Sequence, residues 1–268
     1  MRKFLLLGIL VFLSAFPISF AVASSQQAYQ DYLFQFDRYR QTYSDFQLAR
    51  DTYLKYRSLT SQTAAISATQ TMMTQRNLLL RGYLLFLNEK LNEDQGLGTT
   101  AKQDYQGNLQ KELSFLETQN QYIAGLTSLD EATSTSKLLE THYVPLHITI
   151  RQTIIGLSIG KLSALSGMFD QNLQTAQTLV STNTTALAPE KVGIINRWLT
   201  QIQNTRNLYQ QKIDEIGPFA TTQFASVTTM GDIDQKFVDI SKKITEAKQL
   251  LTQATSYLGE VVTALQYQ

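Results

Sequence analysis

Apolar residues recur every three or four positions along most of the chain, the spacing that gathers them on one side of an α-helix. Positions 26–92 hold one glycine, Gly82, and no proline. They therefore permit a single helix of roughly 65 residues, ~100 Å long at 1.5 Å per residue. Its first half carries a heptad-like stripe of Tyr29, Tyr32, Phe36, Tyr39, Tyr43, Phe46, Ala49, Tyr53 and Tyr56, the seam of a helix lying along another helix. Positions 60–74 are rich in Ser, Thr, Ala and Gln and mark the place where such a helix would break or fray. The second half is apolar on more than one face, with Leu78, Leu79, Leu80, Tyr83, Leu84, Leu85, Phe86 and Leu87, and so predicts burial among several neighbours.

A turn follows at 94–98, with Gly96 and Gly98 available for a left-handed cap. Thr100 with Gln103 reads as the capping box of the next helix, whose stripe is Tyr105, Leu109, Leu113, Leu116, Ile123 and Leu126. Ser128 with Glu131 opens a further segment that Pro145 is expected to kink or interrupt. The stripe resumes through Ile154, Ser158, Leu162, Leu165, Phe169, Leu173, Ala176 and Val180, and positions 181–188 read as a polar loop. Pro189 suits the first turn of another helix, with stripe Ile195, Trp198, Ile202, Tyr209, Ile213 and Ile216, which Gly217-Pro218 should end. Asp232 with Gln235 caps the last helix. Its heptad of Ile233, Phe237, Ile240, Ile244, Ala247, Leu251, Ala254, Leu258, Val261 and Leu265 is the cleanest in the chain. No strand-length run alternates with period two. The expectation is an all-α protein: an elongated antiparallel bundle of four to five long helices with coiled-coil-like packing, forming one extended domain over 24–268.

The first 23 residues read differently. Arg2 and Lys3 precede an apolar run from Phe4 to Phe16, Pro17 breaks it, and Ala21-Val22-Ala23 offers small residues to a signal peptidase. A cleaved signal peptide at 1–23 predicts export to a periplasmic, cell-surface or secreted location. The most apolar later stretch, 148–169, holds Arg151 and Lys161, so no membrane span is expected after cleavage. Cysteine is absent from all 268 residues, which excludes a disulfide framework, a thiolate nucleophile and a lipid-anchored cysteine. An exported, cysteine-free chain of this length fits a bacterial source.

Charge removes further classes. The formal net charge is +1, and loss of Arg2 and Lys3 with the leader turns the balance slightly acidic. Without a basic run, neither nucleic acid nor a polybasic grip on an anionic membrane is expected. Gln and Thr make up about a fifth of the chain, in place of the Glu and Lys that coat most long helices. Simple solvation accounts for such faces; a glycan or cell-wall polymer is a possible partner for them.

Three constellations bear on chemistry. Gly156-Leu157-Ser158-Ile159-Gly160 matches the nucleophile-elbow string, but it lies in a helical stripe and both histidines precede it. The small residues Gly156, Gly160 and Ala164 recur every four positions and predict close approach of a neighbouring backbone. His142 and His147 flank Pro145, and with Tyr143 and Arg151 they form a candidate, weakly supported ligand pocket; their spacing of five is wrong for a metal pair on one helix face. The aromatic seam of Tyr29, Tyr32, Phe36, Tyr39, Tyr43, Phe46, Tyr53 and Tyr56, interleaved with arginines, reads as core packing or as an interaction surface. The functional expectation is an exported, non-enzymatic structural, adaptor or interaction component of the bacterial cell envelope, with no cofactor or metal, acting through a protein partner or self-association. The alternative is an extracytoplasmic ligand-binding or sensor-like four-helix domain.

Overall fold

The computed structural model describes residues 24–183 and 187–266, and every regular element among them is an α-helix. There are six rather than four or five: α1 Ser25–Tyr56, α2 Leu59–Glu93, α3 Thr99–Ala124, α4 Leu129–Asn183, α5 Pro189–Ala225 and α6 Met230–Gln266. The expected signal peptide lies outside the described residues.

The extra helix arises because positions 26–92 do not form one rod. Arg57 takes a left-handed conformation (φ 47°, ψ 30°) and Ser58 then caps α2, its hydroxyl accepting from the Ser61 amide. Ser61 returns the favour by accepting from the Ser58 amide. Two residues thus turn the chain into a hairpin, and the Ser/Thr-rich stretch expected to fray stays helical throughout. Ser25 lies against Glu93, Tyr32 against Tyr83 and Gln35 against Gln75, so α1 and α2 run antiparallel.

Neither internal proline ends a helix. Pro145 lies inside the 55-residue α4, ~80 Å long, and does not interrupt it, with Leu139 and Leu146 on either side fully buried. Pro218 lies inside α5, which runs on to Ala225 because Ile216, Ala220 and Phe224 continue its buried stripe. The lost backbone bonds are outweighed by burial of these apolar groups. Similarly, α4 continues to Asn183, past the start of the expected loop. Pro189 does open α5, as its sequence position implies.

Three caps differ from expectation. Gly98 precedes α3 without any side-chain cap, and Thr229, not Asp232, caps α6 by accepting from the Asp232 amide. Ser128 does cap α4 by accepting from the Glu131 amide, while the Glu131 carboxylate accepts from Thr127. Neither Gly96 nor Gly98 has a positive φ. Gly96 instead serves close approach. The Asp94 carboxylate accepts from the Gly96 and Leu97 amides and folds the α2–α3 turn onto α4, where a Cβ on Gly96 would overlap the Gly160 carbonyl. The Tyr105 ring covers Gly156 in the same way. The small-residue face of α4 is therefore a docking strip for the preceding turn and helix.

The long α4 joins two packed regions. In the first, α2, α3 and α4 enclose Leu84, Leu87, Leu91, Leu109, Leu116, Leu139 and Leu146. In the second, the later part of α4 packs with α5 and α6 around Phe169, Ile195, Ile202, Tyr209, Ile216, Ile233, Ile240 and Ala247. Lys212 meets Glu246 and Trp198 stacks on Tyr257, so α5 and α6 are antiparallel. Arg151 on α4 reaches Asp234 at the start of α6 at 2.7 Å and sits 4.4 Å from the Phe237 ring, tying the two regions together. Among the described residues no helix is long and apolar enough to cross a membrane.

Candidate functional site

Among the described residues, the backbone of α1 runs beside α2 alone. One neighbour cannot cover a helix face as broad as eight large rings. Of α1, only Ser25 and Ala28 are buried. The line that faces α2 is Ala28, Tyr32, Gln35, Tyr39, Thr42, Phe46, Ala49 and Tyr53, each buried or half-buried. The other half of the expected seam is rotated off it. Tyr29, Phe36 and Tyr43 are each about two-fifths exposed and Tyr56 is 63% exposed. The aromatic stripe is thus split lengthwise, its inner rings packed and its outer rings in water.

The inner rings, and Tyr29 at the edge of the outer row, are ordered by contacts. Tyr32 meets Tyr83 with centroids 5.2 Å apart, Tyr29 leans on Phe86 at 5.3 Å, and Tyr39 and Phe46 pack against Met72, Met73, Ile123, Leu126 and Ala132. Burial raises the Tyr39 phenol above its ordinary value, opposed by the nearby Arg76 guanidinium. The N-terminus of α1 is held by Glu93, whose carboxylate accepts from both the amide and hydroxyl of Ser25 and is kept below the usual glutamate range by those bonds. Sequence reading missed four exposed apolar side chains off the stripe: Phe34, Leu48, Leu54 and Leu59. For the three on α1, the signal was available as apolar residues outside the heptad on a helix otherwise coated with Gln, Asp and Arg; Leu59 opens α2.

Where α1 and α4 flank α2, they leave an open cleft of about 460 Å³. Phe46, Tyr53 and Leu54 of α1, Met72 and Met73 of α2 and Ala132 of α4 form its apolar walls, with Arg50, Lys137 and Glu140 among its polar lining. Its α4 wall and its methionines had no counterpart in the sequence reading, since no local motif marks them. A second apolar groove, between the far ends of α4 and α6, is lined by Ala176, Leu179, Leu258 and Val262.

The histidine constellation does not assemble into one pocket. His142 turns toward α3, where its Nε2 lies 2.6 Å from Oε2 of the buried Glu112 and its ring stacks on Phe115. Thr149 donates to the other Glu112 oxygen, so this carboxylate is satisfied from two sides. Tyr143 packs on the core of the first region, with His147 edge-on to it. Burial lowers the His147 pKa below its ordinary value, Arg151 adds to this and Asp234 opposes it. Arg151 is taken up by Asp234 and Phe237. The four residues therefore serve two separate contacts. Among the described residues no group of three or more His, Cys, Asp or Glu is arranged to hold a metal ion. Ser158 donates back to the Ile154 carbonyl within its own helix, with no histidine beside it.

No known family model, curated protein or solved structure matches the chain.

Proposed function

We propose that the protein is an exported, non-enzymatic component of the bacterial cell envelope that works through contact surfaces, as a spacer, adaptor or assembly element. One observation carries this reading: α1 offers an outer row of Phe36, Tyr43 and Tyr56, with Phe34, Leu48 and Leu54 beside it, each more than a third exposed among the described residues. Exposed aromatic and arginine side chains on a rigid helix are favoured anchors of protein contacts. The ~80 Å helix α4 supports a spacer role, and the heptad of α6 supports coiled-coil-like packing along its length. The partner is a second copy or another envelope protein; glycan stacking on the same rings is the weaker option.

The test is site-specific photo-crosslinking in the source cell. A crosslinking amino acid at Tyr43 is expected to give adducts of discrete mass in the envelope fraction, while the same group at Gln203, an exposed site on α5, gives none. Equal labelling at both sites, or a protein that stays in the cytoplasm with its leader attached, would overturn the proposal. A second reading, ligand binding, is favoured by the cleft between α1 and α4.

A further inference from the structure

The middle of the α1–α2 hairpin carries charge of one sign in a chain that is nearly neutral. Positions 52–88 contain Lys55, Arg57, Arg76 and Arg81 and no acid. Arg81 lies near Glu117 and Arg50 near Asp51, while Lys55 and Arg57 sit at the exposed hairpin tip, where water solvates them. Arg76 and Lys137, like several exposed cations, have no ion pair among the described residues, and Arg76 differs from the exposed ones in its burial. Arg76 is half-buried, its Nε is buried without a hydrogen-bond partner, and its Nη1 reaches only Ser136 Oγ at 3.5 Å. A guanidinium taken partly out of water without a counter-charge is costly, and it attracts an anion that can reach it.

Ser136 is also part of the wall of the cleft between α1 and α4, and Lys137 follows it at the rim. Lys137 therefore lines a cleft walled by Phe46, Tyr53, Leu54, Met72, Met73 and Ala132, and Arg76 stands behind it, touching the lining residue Ser136. The volume, about 460 Å³, is in the range of small-molecule sites, and methionine side chains adapt to flexible apolar tails. A neutral apolar ligand would leave the cations unanswered. A polyanion would waste the apolar walls and be repelled by Glu140 more strongly than a single charge would. What satisfies both halves is one flexible hydrocarbon chain ending in a single negative charge.

We propose that this cleft binds a single-chain anionic amphiphile, of the fatty carboxylate class, with its tail over Met72, Met73, Phe46 and Tyr53 and its head group held by Lys137 and Arg76. The site shares only Leu54 with the contact surface, and its test does not depend on that reading, because Phe36 and Tyr43 do not line it.

Isothermal titration of the host-processed protein with dodecanoate, and separately with dodecyltrimethylammonium, both below their micelle concentrations, tests the assignment. Dodecanoate is expected to bind saturably at one site, and the cationic chain at least about tenfold more weakly. Lys137→Glu, at an exposed rim position, should weaken dodecanoate about tenfold or more, the worth of a charge-assisted contact. Thr133→Trp, which fills the cleft from an exposed wall position, should abolish binding. Arg76→Gln should weaken binding similarly, with thermal melting reporting whether the variant remains folded. Equal affinity for the two head groups, non-saturable uptake, no binding at all, or unchanged binding in folded Lys137→Glu and Thr133→Trp variants would each overturn the proposal.

Discussion

Helices α1 and α6 carry large apolar side chains at the same three-and-four spacing, and the two stripes meet different fates. In α6, Ile233, Ile240, Ala247, Ala254 and Val261 are fully buried. That helix has α5 on one side and α4 on another, so its stripe faces a groove rather than a single ridge. In α1 the rings are larger, among the described residues its backbone runs beside α2 alone with only Tyr39 and Phe46 reaching α3 and α4, and the outer half of the stripe is about two-fifths or more exposed. Periodicity gives the direction of a face. Whether the face is covered depends on how many neighbours reach it, which is a property of topology and not of the helix itself.

This contrast gives the largest expected effect. Ile240→Ala removes a fully buried side chain between α4, α5 and α6 and should cost about 2–5 kcal/mol in urea denaturation, through lost transfer energy and the cavity left behind. A loss below about 1 kcal/mol would mean that the second region is loosely packed, and the contrast with α1 would collapse.

The turn between α2 and α3 offers the next test, because it shows how the first region is fastened to the long helix. Gly96→Ala would push a methyl group into the Gly160 carbonyl, a backbone atom that cannot swing aside. The expected cost is about 1–3 kcal/mol, with faster amide exchange at 96 and 97, whose amides bond to Asp94. Gly107→Ala is the control. It lies inside α3 with open space around it and should stabilise by about 0.5–1 kcal/mol through helix propensity alone.

Phe36→Ser and Tyr43→Ser bear on α1 itself. Both positions are exposed, so stability should change by under about 1 kcal/mol while crosslinking through the α1 face is lost. A large stability loss would show that these rings are core, and the open half of the seam would disappear from the comparison.

The same contrast explains what could be read in advance. The all-helical class, the stripes of α3 to α6, the Pro189 start and the small-residue strip at Gly156 and Gly160 follow from spacing and residue size, which are local. The break at Arg57-Ser58 was missed because a left-handed arginine followed by a serine cap has no glycine or proline to announce it. Pro218 points in the opposite direction, and Pro145 does so as far as an interruption goes, since each lies inside a helix whose buried stripe continues past it. The cleft was invisible for a different reason. Its walls come from three helices separated by up to about ninety positions in the chain, and only packing brings Met72 near Ala132 and Lys137.

The smallest expected effect lies at the joint between the two regions. His147 precedes Arg151 by one helical turn, and Arg151 grips Asp234 on α6. Burial, reinforced by Arg151, depresses the His147 pKa, whereas the unfolded chain takes up its proton near the ordinary value of 6.5. Below that value the unfolded state binds more protons than the folded one, so stability falls as pH drops, until the folded imidazole also titrates. The melting temperature should therefore decline between pH 7.5 and 5.5 by more in the wild type than in His147→Gln. Asp234→Asn should steepen the decline, because it removes the one charge that favours the imidazolium. Identical slopes in all three proteins would place the His147 ring in water. The junction would then contribute no pH dependence through this ring, and the joint would rest on the Arg151 contacts to Asp234 and Phe237.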